Sequence, residues 1–156
     1  MVKNVFKKLG KKQKNNKGFS LVELIVVIAI MAVLVGVLAP QLIKYVEKSR
    51  EATDIQTCDN IATALKTYYA DEEVAASATA ATTTVTVTLG KTELGTAADT
   101  AVKDAGLTKA KIKGTKWTGD KITIVYNKAD GTITYTGDSP YYHSDKDQFK
   151  KALNHK

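Results

Sequence analysis

The sequence predicts an α+β protein, a long N-terminal helix packed on a small antiparallel β-sheet. Three observations predict it. An apolar run from Phe19 to Ala39 continues in helical register to about Asp71. The composition then shifts to Ala, Thr, Ser and Val from Val74, and apolar residues alternate with a period of two between Lys109 and Thr136. At 156 residues there is room for one compact domain and one extra element.

Charge is the first element to place. The formal charge is +7, but residues 1–17 hold seven lysines and no acid, which leaves 16 basic against 16 acidic residues in the remainder. The basic excess is therefore a property of the N-terminus and not of a nucleic-acid-binding surface spread over the chain. A single cysteine, Cys58, excludes an intrachain disulfide and any multi-cysteine metal site.

The run FSLVELIVVIAIMAVLVGVLA holds 21 residues and one charge, Glu23. At about 1.5 Å per residue it is long enough to cross a hydrocarbon core of about 30 Å. The lysines before it place residues 1–17 on the cytoplasmic side and the rest of the chain on the other side. A secretory signal peptide also joins a basic to an apolar region, but this run is too long, contains an acid, and ends at Pro40-Gln41-Leu42, which is not a small-residue cleavage site. A plain signal anchor needs only the lysines and the apolar run. Glu23 separates the readings, because a carboxylate in a membrane helix costs about 2.5–3.5 kcal/mol and calls for a cationic partner. No lysine or arginine lies between Phe19 and Gln41. Cleavage between Gly18 and Phe19 would create one, since the new α-amine would stand four residues before Glu23 on the same helical face.

The string Lys17-Gly18-Phe19-Ser20-Leu21-Val22-Glu23-Leu24 before a long apolar helix resembles the class III leader junction of type IV pilins and pseudopilins. The resemblance runs over residues 17 to about 46. It implies that Gly18 ends a leader read by a prepilin peptidase and that Phe19 becomes the new, N-methylated first residue. It also implies that Glu23 pairs with a neighbour's amine during assembly and that Pro40 matches the proline of the family's helix. The implied organisation is a cytoplasmic leader over 1–18, a transmembrane and filament-core helix over 19–40, and an extracytoplasmic head over 41–156. The implied partners are further copies of the chain in a helical filament, the peptidase, the assembly machinery and, before assembly, membrane lipid. The precursor would lie in the cytoplasmic membrane and the product in an extracellular filament.

Proline inside a helix removes one hydrogen bond and crowds the preceding turn, so a kink or melted segment is expected between Gly36 and Pro40. Beyond it Ile55, Cys58, Ala62, Leu65 and Tyr69, with Ile61 and Tyr68, form a stripe able to bury against a second layer. Glu47, Glu51, Asp54 and Asp59 are read as its polar positions. Thr84 to Leu89 suits a strand or an exposed loop, and Ala97 to Ala105 a short helix stopped by Gly106. Ile122, Ile124 and Tyr126 share one face of a strand and Ile133 and Tyr135 one face of the next, joined by a turn over Asn127–Gly131. Ile112 is expected in the preceding strand, and Ser144 is expected to cap a terminal helix from Asp145 to Leu153.

Site chemistry is sparse. There is no phosphate loop and no nucleophile elbow, and the two histidines, His143 and His155, lie near the C-terminus. No catalytic residue, metal or cofactor is expected, and Asp138, Asp145 and Asp147 lack the spacing of a calcium loop. Lys109, Lys111 and Lys113 alternate on an expected strand, with Lys116 and Trp117 close by. This patch is a candidate contact for single-stranded DNA or for a neighbouring subunit's acidic helix face. The leading expectation is a non-enzymatic filament subunit serving adhesion, motility or DNA uptake. A pseudopilin of a secretion system and a DNA-binding minor pilin share the same N-terminal helix.

Overall fold

The computed structural model describes residues 18–71, 83–95 and 98–152. They divide into an N-terminal unit ending at Pro40 and a C-terminal unit beginning at Gln41. Helix α1 covers Leu21–Tyr69 with Pro40 inside it. Residues 36–40 are helical, so the melted segment expected there does not form. The proline ring crowds the carbonyl four residues earlier, and the residue at that position is Gly36, which adds no side chain to the clash.

In the N-terminal unit every residue from Gly18 to Leu38 is exposed. Among the described residues, α1 is the one helix long and apolar enough to cross a membrane.

In the C-terminal unit, β1 (Thr84–Leu89), β2 (Ile122–Asn127) and β3 (Ile133–Thr136) form an antiparallel sheet in the order β1-β2-β3. Val87 stands opposite Ile124, and Ile124 opposite Tyr135. Strict alternation makes the apolar side of all three strands one surface, and Val85, Val87, Leu89, Ile122, Ile124, Tyr126, Ile133 and Tyr135 are buried on it. Cys58, Ile61, Ala62 and Leu65 of α1 belong to the same core, as the stripe predicted, while Ile55, Tyr68 and Tyr69 lie at its margin. Burial raises the Cys58 thiol far above its usual range, with the charges of Asp54 and Asp59 adding to the effect.

The Asn127–Gly131 turn forms as its residues require. Asn127 Oδ1 accepts the amide of Ala129, Asp130 Oδ1 accepts that of Thr132, and Gly131 takes a φ of 70°. The short helix α2 runs over Thr100–Asp104, capped by the Asp99 side chain on the amide of Ala101 and followed by Gly106 at a φ of 72°. Ala97, where it was expected to begin, lies outside the described residues, as do residues 74–82 of the Ala- and Thr-rich stretch.

Three further expectations are corrected. The strand beside β2 is β1, not the segment around Ile112. Ile112 is buried and its amide donates to the Gly90 carbonyl at 2.9 Å, but the amides after it go to side chains of α1 instead of a strand. The C-terminus is not a helix: β4 (Tyr142–Asp145) and β5 (Gln148–Lys151) make a hairpin, and Leu153 is outside the described residues. Ser144 caps nothing there. Its amide donates to the Gly137 carbonyl and its hydroxyl accepts the Gly137 amide, while the Tyr135 amide of β3 donates to the Lys146 carbonyl. The free edge of β3 thus finds partners in the hairpin, which a helix would not supply. Phe149 adds ring contacts with Trp117 and Tyr135 at 5.7 and 5.2 Å. The third correction concerns acids: Glu47, Glu51 and Asp54 are buried, at 7%, 0% and 1% exposure.

Candidate functional site

The junction comes first. Gly18, Phe19 and Ser20 precede α1 in non-helical backbone, and Phe19 is 87% exposed. The Gly18–Phe19 peptide bond therefore lies outside the helix. Among the described residues a side chain built on Gly18 would meet nothing within 4 Å, so they make no steric demand for glycine there. Glu23 folds back to accept the Ser20 amide at 2.9 Å, while the Leu24 amide donates to the Ser20 carbonyl. Ser20 and Glu23 thus have the spacing of a capping box, and the acid satisfies one of the orphan amides at the helix start. The charge pattern of the sequence points only to a partner for Glu23 that arises after cleavage. The Ser-x-x-Glu spacing was the signal that would have shown this present one.

The family model of the prokaryotic N-terminal methylation motif matches residues 13–39. This is a type IV pilin-like leader. No curated protein and no solved structure matches the chain at a significant level. A class III leader of this kind implies processing by a prepilin peptidase and entry into a pilus-like system, and with the apolar helix it fits a membrane-anchored precursor. It points to a structural subunit and not to an enzyme. The match stops at residue 39, and the N-terminal unit ends at Pro40, so the C-terminal unit inherits nothing from the leader motif and is read from its own residues.

There the structure does not assemble the expected lysine site. Lys109, Lys111, Lys113 and Lys116 are exposed but lie on irregular backbone, and Lys111 pairs with Glu93 at 3.5 Å. Trp117 is 3% exposed, and a buried indole offers no face for a base to stack on. The acidic helix face proposed as the patch's counterpart is itself internal at Glu47, Glu51 and Asp54.

Those acids organise the loop instead. Glu47, Glu51 and Asp54 recur at intervals of four and three, which puts them on one face of α1. Asp54 Oδ1 accepts the Lys113 amide at 2.7 Å, and Oδ2 accepts the Gly114 amide at 2.7 Å and the Trp117 indole N–H at 2.9 Å. Glu47 accepts the Thr115 amide, and Arg50 lies 3.7 Å from its other oxygen. Glu51 accepts the Ser139 hydroxyl. A β-carbon on Gly114 would stand 2.7 Å from Glu51 Cγ, 2.8 Å from Trp117 Nε1 and 2.9 Å from Asp54 Oδ2, so only glycine lets the backbone approach this closely. Acids at positions 47, 51 and 54 facing a Gly114 that follows apolar Ile112 carry no sequence signal that separates them from an exposed polar stripe.

Proposed function

We propose that this chain is a structural pilin-like subunit, cut between Gly18 and Phe19, N-methylated on Phe19 and polymerised through the apolar part of α1 into an extracellular filament. The observation that supports this most directly is the leader motif over residues 13–39 on a helix whose apolar side chains are exposed on every side from Leu21 to Leu38. Such a surface needs either lipid or other helices around it. Before assembly the membrane supplies the first, with the lysine-rich N-terminus inside; in the filament, further copies supply the second.

In this reading Glu23 exchanges partners. In the precursor it caps α1 through the Ser20 amide. After cleavage, the Phe19 ammonium, on the same chain or a neighbour, gives the carboxylate a charged donor in a low-dielectric setting, where such a bond is about twice as strong as a neutral one. Pro40 belongs to the helix at the end of the filament-core segment. A pseudopilin of a secretion system uses the same steps, and filament length and abundance distinguish the two.

Intact-mass measurement of sheared, pelletable surface material is the test. A mass beginning at Phe19, with or without one methyl group, is the expected result. The mass of the whole precursor, or no pelletable chain in expressing cells, means a signal anchor that never assembles.

A further inference from the structure

We propose that Glu51 is held as a neutral carboxylic acid, and that its proton lets the 113–117 loop and Ser139 close on α1, so that the C-terminal unit loosens when the proton is lost. Glu51 is fully buried between Glu47 and Asp54 on one helix face. Its neighbours are provided for: Asp54 has three N–H donors, and Glu47 has the Thr115 amide and Arg50. Among the described residues Glu51 has one hydrogen-bond donor, the Ser139 hydroxyl on Oε2. That hydroxyl already accepts the amides of Tyr141 and Tyr142 at 3.1 and 3.0 Å, so its two lone pairs are used and its only proton points to Glu51. Among the described residues, Oε1 is buried without a hydrogen-bond partner.

The groups facing Glu51 decide its charge. From α1 these are Glu47 and Asp54, both of like sign; from the loop, Lys116, whose side chain is exposed; from the β3–β4 connection and β4, Ser139 and Tyr142, neither of which brings a positive charge. The close approach of Gly114 to Glu51 Cγ fills the remaining side. An ionised Glu51 would be a buried charge with one orphan oxygen beside two other acids, a far more costly arrangement than a buried neutral acid.

Burial foremost, then the charges of Glu47 and Asp54, raise its pKa against the opposing effects of Ser139 and Lys116. A carboxyl whose folded value is raised contributes stability that is complete below its unfolded value and is lost as pH rises through the folded value. Each unit of difference lowers the folded-to-unfolded ratio about tenfold.

Trp117 is the only tryptophan and its ring belongs to this cluster, so its fluorescence reads the loop directly. The test is thermal unfolding of the full chain in neutral detergent at about pH 5 and about pH 8, for the native chain and Glu51→Gln, a neutral near-isostere. The native midpoint is expected to fall across this interval relative to that of the variant, whose position 51 does not titrate. Equal pH dependence in the two chains overturns the proposal. Should Glu51→Gln not fold, carbon-13 NMR of the native chain's glutamate carboxyls decides. A Glu51 signal that keeps its acid position while the other glutamates ionise upholds the proposal, and one that titrates with them overturns it.

Discussion

The indole N–H of Trp117 donates to Asp54 Oδ2 at 2.9 Å, joining residues 63 positions apart. The same oxygen takes the Gly114 amide and its twin takes that of Lys113, so one carboxylate holds the whole turn of the loop. Removing it by Asp54→Ala leaves three donors unpaired, two of them in buried bonds. At about 1–3 kcal/mol for each orphaned buried group, the two buried donors put the expected loss at about 2 kcal/mol or more in urea unfolding of the full chain. A loss below about 1 kcal/mol would mean that the loop is held by something else.

Gly114 tests the same contact from the other side. Gly114→Ala forces a methyl against Glu51, Trp117 and Asp54, and overpacking of this kind costs about 1–3 kcal/mol. Gly90→Ala is the control: its β-carbon would come no closer than 4.0 Å to the nearest atom outside its immediate neighbours, and a change within about 0.5 kcal/mol is expected. Similar losses at both positions would remove the steric account of Gly114.

Tyr69 gives an alkaline signature. Its hydroxyl donates to Asp99 at 3.1 Å, and burial together with the Asp99 charge pushes its pKa up to about 12. Because the folded value is raised, this contribution to stability is intact below the ordinary tyrosine value and fades as pH climbs through the raised one. Asp99→Asn keeps a good cap for α2 while removing the charge. Ultraviolet titration is expected to show one tyrosine of that variant ionising at lower pH than in the native chain.

Glu23→Gln separates the two roles given to the residue. Glutamine keeps an oxygen that can accept the Ser20 amide, so leader cleavage is expected to continue at its native rate. The charge that would meet the Phe19 amine is gone, and sheared filament is expected to fall about tenfold or more, the equivalent of about 1.4 kcal/mol. Native filament yield would show that the cap, not the ion pair, is what assembly needs.

The parts legible in the sequence were those written in periodicity. The apolar stripe of α1, the alternation of β2 and β3 and the Asn127–Gly131 turn each repeat a local rule, and each formed. The terminal hairpin was illegible because residues 145–153 are too few for a decisive helical pattern and their conformation is set by the needs of the β3 edge. The buried acids were illegible for a related reason: a glutamate that meets a backbone amide across the fold is spelled the same way as one that meets water. The leader junction was readable because its recognition depends on a short string, whereas the Ser20–Glu23 contact within it depends on an acid folding back on its own helix start, which charge alone does not announce.

Cys58 is the chain's only thiol, and it lies at 0% exposure inside the core with its ionisation suppressed. Copies of the folded chain therefore cannot be riveted to one another through sulfur. If copies assemble as proposed, no disulfide between folded chains would hold them, and taking such an assembly apart would need no reductant.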